Sequence, residues 1–135
     1  MEQCPACGGG PVRRDTRPST FEYKGQTLTY DQPAWWCAQC GEALLEPSDQ
    51  RATDTLLHDH QAQVDGRLTT EYIRQIRKTL GLTQQQAGQI IGGGHNAFNR
   101  YEQGIARPPK ATENFLRLLD RHPHLITELL PEEAA

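Results

Sequence analysis

The chain has 135 residues, 36% of them hydrophobic, a formal net charge of −3 and a mean hydropathy of −0.73, which allows one domain or two small ones and leaves little core material for either. No apolar run approaches the ~20 residues of a membrane span, and the start Met-Glu-Gln-Cys-Pro has neither the basic nor the apolar stretch of a secretory signal, so a cytoplasmic protein with no membrane partner is expected. The charge is uneven: residues 1–66 hold five Lys/Arg against ten Asp/Glu, residues 67–121 nine against four, and residues 122–135 add three Glu. A basic segment between acidic ones is what local phosphate binding requires, although a solvated helix surface often carries as much.

All four cysteines lie before residue 41, as Cys4-Pro-Ala-Cys7-Gly and Cys37-Ala-Gln-Cys40-Gly. Two CxxC pairs, each followed by glycine, point to one tetrahedral zinc site held by Cys4, Cys7, Cys37 and Cys40. Within such a turn both sulfurs face one ion, backbone N–H groups temper the thiolate charge, and the glycine lets the chain turn away. Iron in a rubredoxin-like site and redox or disulfide use are the competing readings. A reducing cytoplasm weighs against disulfides, and a redox CxxC has no need to occur twice. Four thiolates close the coordination sphere to water, so one structural ion per chain is expected and not a catalytic one.

The 29 residues between the pairs read as strands. Thr20–Tyr23 and Gln26–Tyr30 alternate in period two around Lys24-Gly25, a hairpin pattern that places Phe21, Tyr23, Leu28 and Tyr30 on one face. Ala34-Trp35-Trp36 is expected to enter the second CxxC as a third strand. Such a sheet cannot hold itself by apolar burial, so metal binding is expected to supply much of its folding free energy. The tryptophans read as core, with one ring at a partner interface as the competing use.

Pro47-Ser48-Asp49 starts a helix running to about Val64, with Ser48 or Asp49 near its cap. His58 and His60 on it read as surface histidines, because the cysteines already complete a metal site. Asp65-Gly66-Arg67 then breaks the chain. Residues 1–66 are therefore read as an α+β zinc-binding domain, a small sheet with a helix. Residues 67–135 are read as an all-α domain of about five helices.

In that second part, Thr69-Thr70-Glu71 opens a helix carrying Ile73, Ile76 and Leu80 at helical spacing before Gly81. Residues 82–104 read as two short helices around a glycine-rich turn. Thr83 caps the first and Gln86 closes a capping box. Ala87 and Gly88 are small where the helices must approach, and Gly92, Gly93 and Gly94 permit a reversal through positive φ. The second helix spans about 95 to 103; Phe98 and Tyr101 share one face, Asn96 and Arg100 another. An apolar face inward and an Asn/Arg face outward is what a recognition helix in the DNA major groove needs, against the plainer reading of a helical hairpin with a solvated polar face. Lys110–Arg121 reads as a further helix with Phe115, Leu116 and Leu119 inward, ended by Pro123. His124–Leu130 reads as a short last helix whose leucines either form a dimer surface or complete the core.

No serine–histidine–acid pattern, P-loop or open metal site appears, and an enzyme is not expected. Leu82-Thr83-Gln84 through Gly92, followed by Arg100-Tyr101-Glu102-Gln103-Gly104, resembles the Xre/Cro-type helix-turn-helix. Together with the N-terminal CPxCG, the second CxxC after a hairpin, and the string Gly-Gly-Gly-His-Asn-Ala-Phe-Asn-Arg-Tyr-Glu, almost the whole chain resembles the MqsA family of antitoxins. That resemblance implies a zinc-bound N-terminal domain that neutralises an MqsR-like toxin, an mRNA-cleaving ribonuclease. It also implies a homodimer formed through the C-terminal domain, which binds double-stranded palindromic DNA in its own promoter and represses the operon. Carried over by position, the zinc ligands are Cys4, Cys7, Cys37 and Cys40 and the base-reading residues are Asn96 and Arg100, whose chemistry suits adenine and guanine respectively. By analogy with Xre-type domains, Gln84 would contact phosphate. The alternatives are a zinc-containing transcriptional regulator without a toxin partner, and a zinc-ribbon adaptor that binds proteins through both halves.

Overall fold

The computed structural model describes residues 3–131; Glu2 and the Glu132 and Glu133 of the acidic tail lie outside it. Two compact units divide at His60 and Gln61, within the first helix. The residues of the expected break belong with the second unit through bonds. Asp65 accepts from Arg107 (3.0 Å), the Gly66 carbonyl accepts from Arg117 (2.9 Å), and Arg67 donates to Glu113 (2.5 Å).

In the first unit, β1 (Val12–Tyr23) and β2 (Gln26–Cys37) form one antiparallel hairpin paired from Val12↔Cys37 to Tyr23↔Gln26, and β3 (Ala43–Leu44) adds to β2 opposite Trp36 and Trp35. Lys24 and Gly25 have φ of 49° and 79°, the two-residue turn whose twist matches its strands. The register places Phe21, Tyr23, Leu28 and Tyr30 on one face. The strands are longer than expected, and Ala34–Trp36 continues β2 where a separate third strand was read; the third strand follows the second CxxC. Pro18 and Pro33 lie inside the strands. Both are accommodated because β1 is an edge strand and β2 meets its second neighbour only at Trp35 and Trp36.

The apolar core of this unit is small: Cys4, Val12 and Cys37, with Trp35 and Leu44 packed on them. Trp36 is half-buried, donates from Nε1 to the Asp15 carbonyl (3.1 Å) and lies under the Arg17 guanidinium. The helix α1 (Pro47–Val64) is pinned to the hairpin by polar contacts. Asp49 sits at the third helical position, not at the cap, and accepts the Glu46 N–H (2.9 Å), the returning half of a capping box. It also accepts two bonds from Arg14 (2.8 and 2.7 Å), and Thr53 donates to Gln32 (3.2 Å). His58 and His60 are half-buried, correcting the surface reading; His60 Nε2 lies 2.9 Å from the Gln26 carbonyl oxygen, with its ring edge-on to Phe21.

The second unit comprises α2 (Thr70–Thr79), α3 (Gln84–Ile90), α4 (Ala97–Gln103), α5 (Lys110–Arg121) and a closing 3-10 turn (Pro123–Glu128). The 3-10 turn replaces the short α-helix expected after Pro123, its i→i+3 bonds (Leu125 N–H to His122, Leu129 N–H to Ile126, both 3.0 Å) satisfying a segment of about two turns. Thr69 caps α2 by accepting the Tyr72 N–H (3.2 Å), and Thr83 with Gln86 forms the expected capping box (3.1 and 2.9 Å). Phe98, Ile73, Ile76, Leu116 and Leu119 fill the core, with Leu68, Leu82, Ala87, Ala97, Tyr101 and Ile126 around them. No helix among the described residues is long and apolar enough to cross a membrane.

Candidate metal centre and candidate nucleic-acid interface

The four cysteine sulfurs lie within 4.8 Å of one another. Cys4 Sγ is 3.8 Å from Cys40 Sγ and Cys7 Sγ 3.7 Å from Cys37 Sγ. Sulfurs bound to one ion at about 2.3 Å in a tetrahedron are about 3.8 Å apart, so the spacing fits a shared metal and is far too long for a disulfide. The two CxxC turns share one local design. The Gly8 N–H donates to the Cys4 carbonyl (2.8 Å) and the Gly41 N–H to the Cys37 carbonyl (3.0 Å). One residue further, the Cys4 N–H meets the Gly9 carbonyl (2.7 Å) and the Cys37 N–H the Glu42 carbonyl (3.0 Å). Gly8 and Gly41 both stand at φ 76°, which an L side chain rarely adopts; this is the turn-away the sequence called for.

Cys4 and Cys37 are buried, Cys7 and Cys40 exposed. The N–H groups of Cys40 and Gln39 draw the Cys37 thiol down to about 6 against the pull of burial. Cys40 goes the other way, to about 12. The Glu42 N–H favours its thiolate, but burial and the neighbouring Cys37, Cys7 and Cys4 outweigh it. Four crowded sulfurs cannot all ionise without a counter-charge, and a cation among them supplies it. The donor set fits a metal ion.

In the second unit, α3 and α4 meet at two small residues. A Cβ on Gly88 would stand 1.9 Å from the Gly94 carbonyl oxygen, and Ala87 is wholly buried. Gly92, Gly93 and Gly94 reverse the chain at φ of 126°, 98° and 93°. Across this turn Ala97, Phe98 and Tyr101 face inward, Phe98 and Tyr101 stacking edge-to-face at 5.3 Å. Asn96 and Arg100 are both exposed. They border a groove of about 480 Å³ shared with Gly93, His95 and Arg107. The sharp turn, the inward aromatic pair and the outward Asn/Arg pair thus coexist as the sequence required.

The family model described as the antitoxin component of the bacterial toxin-antitoxin system, MqsA, matches residues 1–130. The chain belongs to the MqsA antitoxin family. It is also similar to Antitoxin MqsA of Escherichia coli strain K12, with 33% identity over 129 residues, covering 94% of this chain and 98% of the relative. Both ends of the antitoxin, the cysteine cluster and the α3–α4 segment, fall inside the matched range.

Within the antitoxin's second unit, sequence reading missed what holds α4 in place. Glu102, next to the inward Tyr101, is 2% exposed and takes two bonds from Arg77 (2.8 and 2.9 Å) and a longer one from Arg74 (3.4 Å). Arg77 also donates to the Leu82 carbonyl (3.0 Å), so one guanidinium ties α2, the start of α3 and α4 together. Burial alone would raise the Glu102 carboxyl; Arg77, Gln84 and Arg74 outweigh it and hold it below its ordinary value. Gln84 is half-buried at the start of α3, where its side chain helps to favour the Glu102 carboxylate. Glu113, wholly buried, gathers Arg67, Arg117 and the Leu68 N–H in the same way. Much of the positive charge counted along residues 67–121 is thus paired to carboxylates, in Arg67, Arg74, Arg77, Arg107 and Arg117. The signal for this was present in sequence only as acidic residues inside apolar helical stripes.

Proposed function

We propose that this antitoxin neutralises an MqsR-like, mRNA-cleaving ribonuclease toxin through residues 1–66 and represses its own operon through residues 67–135, as a cytoplasmic homodimer bound to palindromic promoter DNA. It acts by binding and not by catalysis. The ion is zinc, one per chain, held by Cys4, Cys7, Cys37 and Cys40: four thiolates in a closed set are its preferred structural site. Exposed Leu118, Leu125, Leu129 and Leu130 in the second unit offer an apolar surface for dimerisation, which a two-fold operator requires. Gln84, half-buried at the start of α3, carries an amide N–H2 suited to a phosphate oxygen.

The observation that carries the DNA-binding reading is Arg100. It is exposed beside exposed Asn96 and its side chain has no hydrogen bond or ion pair among the described residues, although five other arginines of the unit are paired to carboxylates. A cation left unpaired on a rigidly mounted helix is available to a guanine edge. The test is a gel shift at fixed salt with the DNA upstream of the gene. Arg100→Ala is expected to weaken specific binding by on the order of 1–3 kcal/mol while zinc content stays at one ion per chain. Unchanged operator affinity would remove Arg100 from the interface. For the toxin, co-expression with an MqsR-like ribonuclease is expected to relieve the growth arrest that the ribonuclease causes, and continued arrest would leave the regulator without a toxin partner as the better reading. Elemental analysis that finds iron in place of zinc would overturn the metal assignment.

A further inference from the structure

The outward side of α4 carries more than Asn96 and Arg100. Asn99 and Gln103 are also exposed, and at 3.6 residues per turn all four fall within about 100° of arc. Ala97, Phe98, Tyr101 and Glu102 fill the buried side. From Asn96 to Gln103 the helix rises about 10 Å, about three base-pair steps at 3.4 Å each. The stripe is therefore long enough to read beyond the pair contacted by Asn96 and Arg100. Gln103 Nε2 donates to Asn99 Oδ1 at 3.0 Å, while the amide nitrogen of Asn99 has no partner among the described residues.

An unconstrained asparagine reads adenine by donating to N7 and accepting from N6 at once. With Oδ1 drawn back along the helix by Gln103, the unpartnered end of the Asn99 amide is its N–H2 donor. On the major-groove edge guanine presents two acceptors, N7 and O6, for that group, adenine and thymine present one each, and cytosine presents a donor. We propose that Asn99 is a further base-reading residue that selects guanine at a step beside the one read by Arg100, and that Gln103 is the positioning residue that makes it a donor. This rests on the reading of α4 as the DNA-contacting helix.

The test is selection of bound duplexes from a randomised double-stranded DNA pool by the full-length, zinc-loaded protein and its variants, each checked for helix content. Wild type is expected to enrich a guanine next to the position whose preference Arg100→Ala abolishes. Asn99→Ala should lose about tenfold of the preference at that guanine and leave the Arg100 position intact. Gln103→Ala frees Oδ1, so it should keep selection at that step but shift it from guanine to adenine, a change that a purely structural bond would not produce. Unchanged preferences in both variants, with Arg100→Ala still active in the assay, would reduce the pair to an intrahelical contact and overturn the proposal. Loss in Asn99→Ala without the shift in Gln103→Ala would overturn the positioning role and with it the guanine assignment. Enrichment of nothing by wild type would instead overturn the DNA-binding reading itself.

Discussion

A carboxylate taken out of water is costly unless cations meet it, and the second unit keeps Glu102 and Glu113 almost wholly out of solvent. Each meets an arginine from another part of that unit, Arg77 for Glu102 and Arg67 for Glu113, so each fixes distant segments in one arrangement. Glu102→Gln removes the charge that Arg77 faces at 12% side-chain exposure, and about 3 kcal/mol of stability should be lost. Urea denaturation measures this, and a loss below about 1 kcal/mol would mean that α4 is held by its apolar face alone. The first unit has its counterpart in Asp49, which Arg14 and the Glu46 N–H hold down to about 2. Glu102 and Glu113 are likewise lowered. Groups whose folded values lie below their unfolded ones stabilise fully above the unfolded value and lose that contribution as pH falls through the folded one. The urea midpoint of the second unit should therefore be flat from neutral pH to about 5 and then fall. In the first unit Asp49→Asn should flatten the part of the acid fall nearest pH 2, and an unaltered acid limb in that variant would remove Asp49 as its source.

Elements follow from rules of very different reach. The α3–α4 pair was legible because its determinants are local: Thr83 and Gln86 cap, three glycines reverse, and Phe98 and Tyr101 turn inward, with α4 starting at Ala97 where about residue 95 was read. The hairpin was legible only near its turn. Pro18 and Pro33 lie inside its strands, and that each lies beside an unpaired sheet edge is a property of the whole sheet, not of their neighbours in sequence. The third strand, two residues long, has no periodicity to detect. The buried carboxylates escaped for the same reason, since their partners lie far away in the chain. Gly88 tests the local rule at its sharpest. An added methyl meets the backbone oxygen of Gly94, which cannot swing away as a side-chain end can. Gly88→Ala should cost about 1–3 kcal/mol and lower DNA affinity through displaced α4. Affinity retained at wild-type stability would show that the turn can yield without moving the helix.

At the scale of the whole molecule, the two units differ in what stabilises them. The second has a continuous core around Phe98, Ile73, Ile76, Leu116 and Leu119 and should fold on chain physics alone. The first has little beyond Val12, Trp35 and Leu44 packed around Cys4 and Cys37, an area too small to offset the entropy of ordering a long hairpin. The four sulfurs close the ends of that hairpin: Cys37 terminates β2, while Cys4 and Cys7 precede β1 and Cys40 precedes β3. A metal ion there ties together segments that otherwise share only strand pairing, and its binding free energy becomes folding free energy. Cys37→Ser, or removal of the metal by a chelator at neutral pH, should abolish the folding transition of the first unit. The transition of residues 67–135 should keep its midpoint, as should DNA binding by that segment. Calorimetry would resolve the two transitions. A single transition that shifts as a whole when the metal leaves would mean that the units fold together and that α1, which spans their division, transmits stability between them.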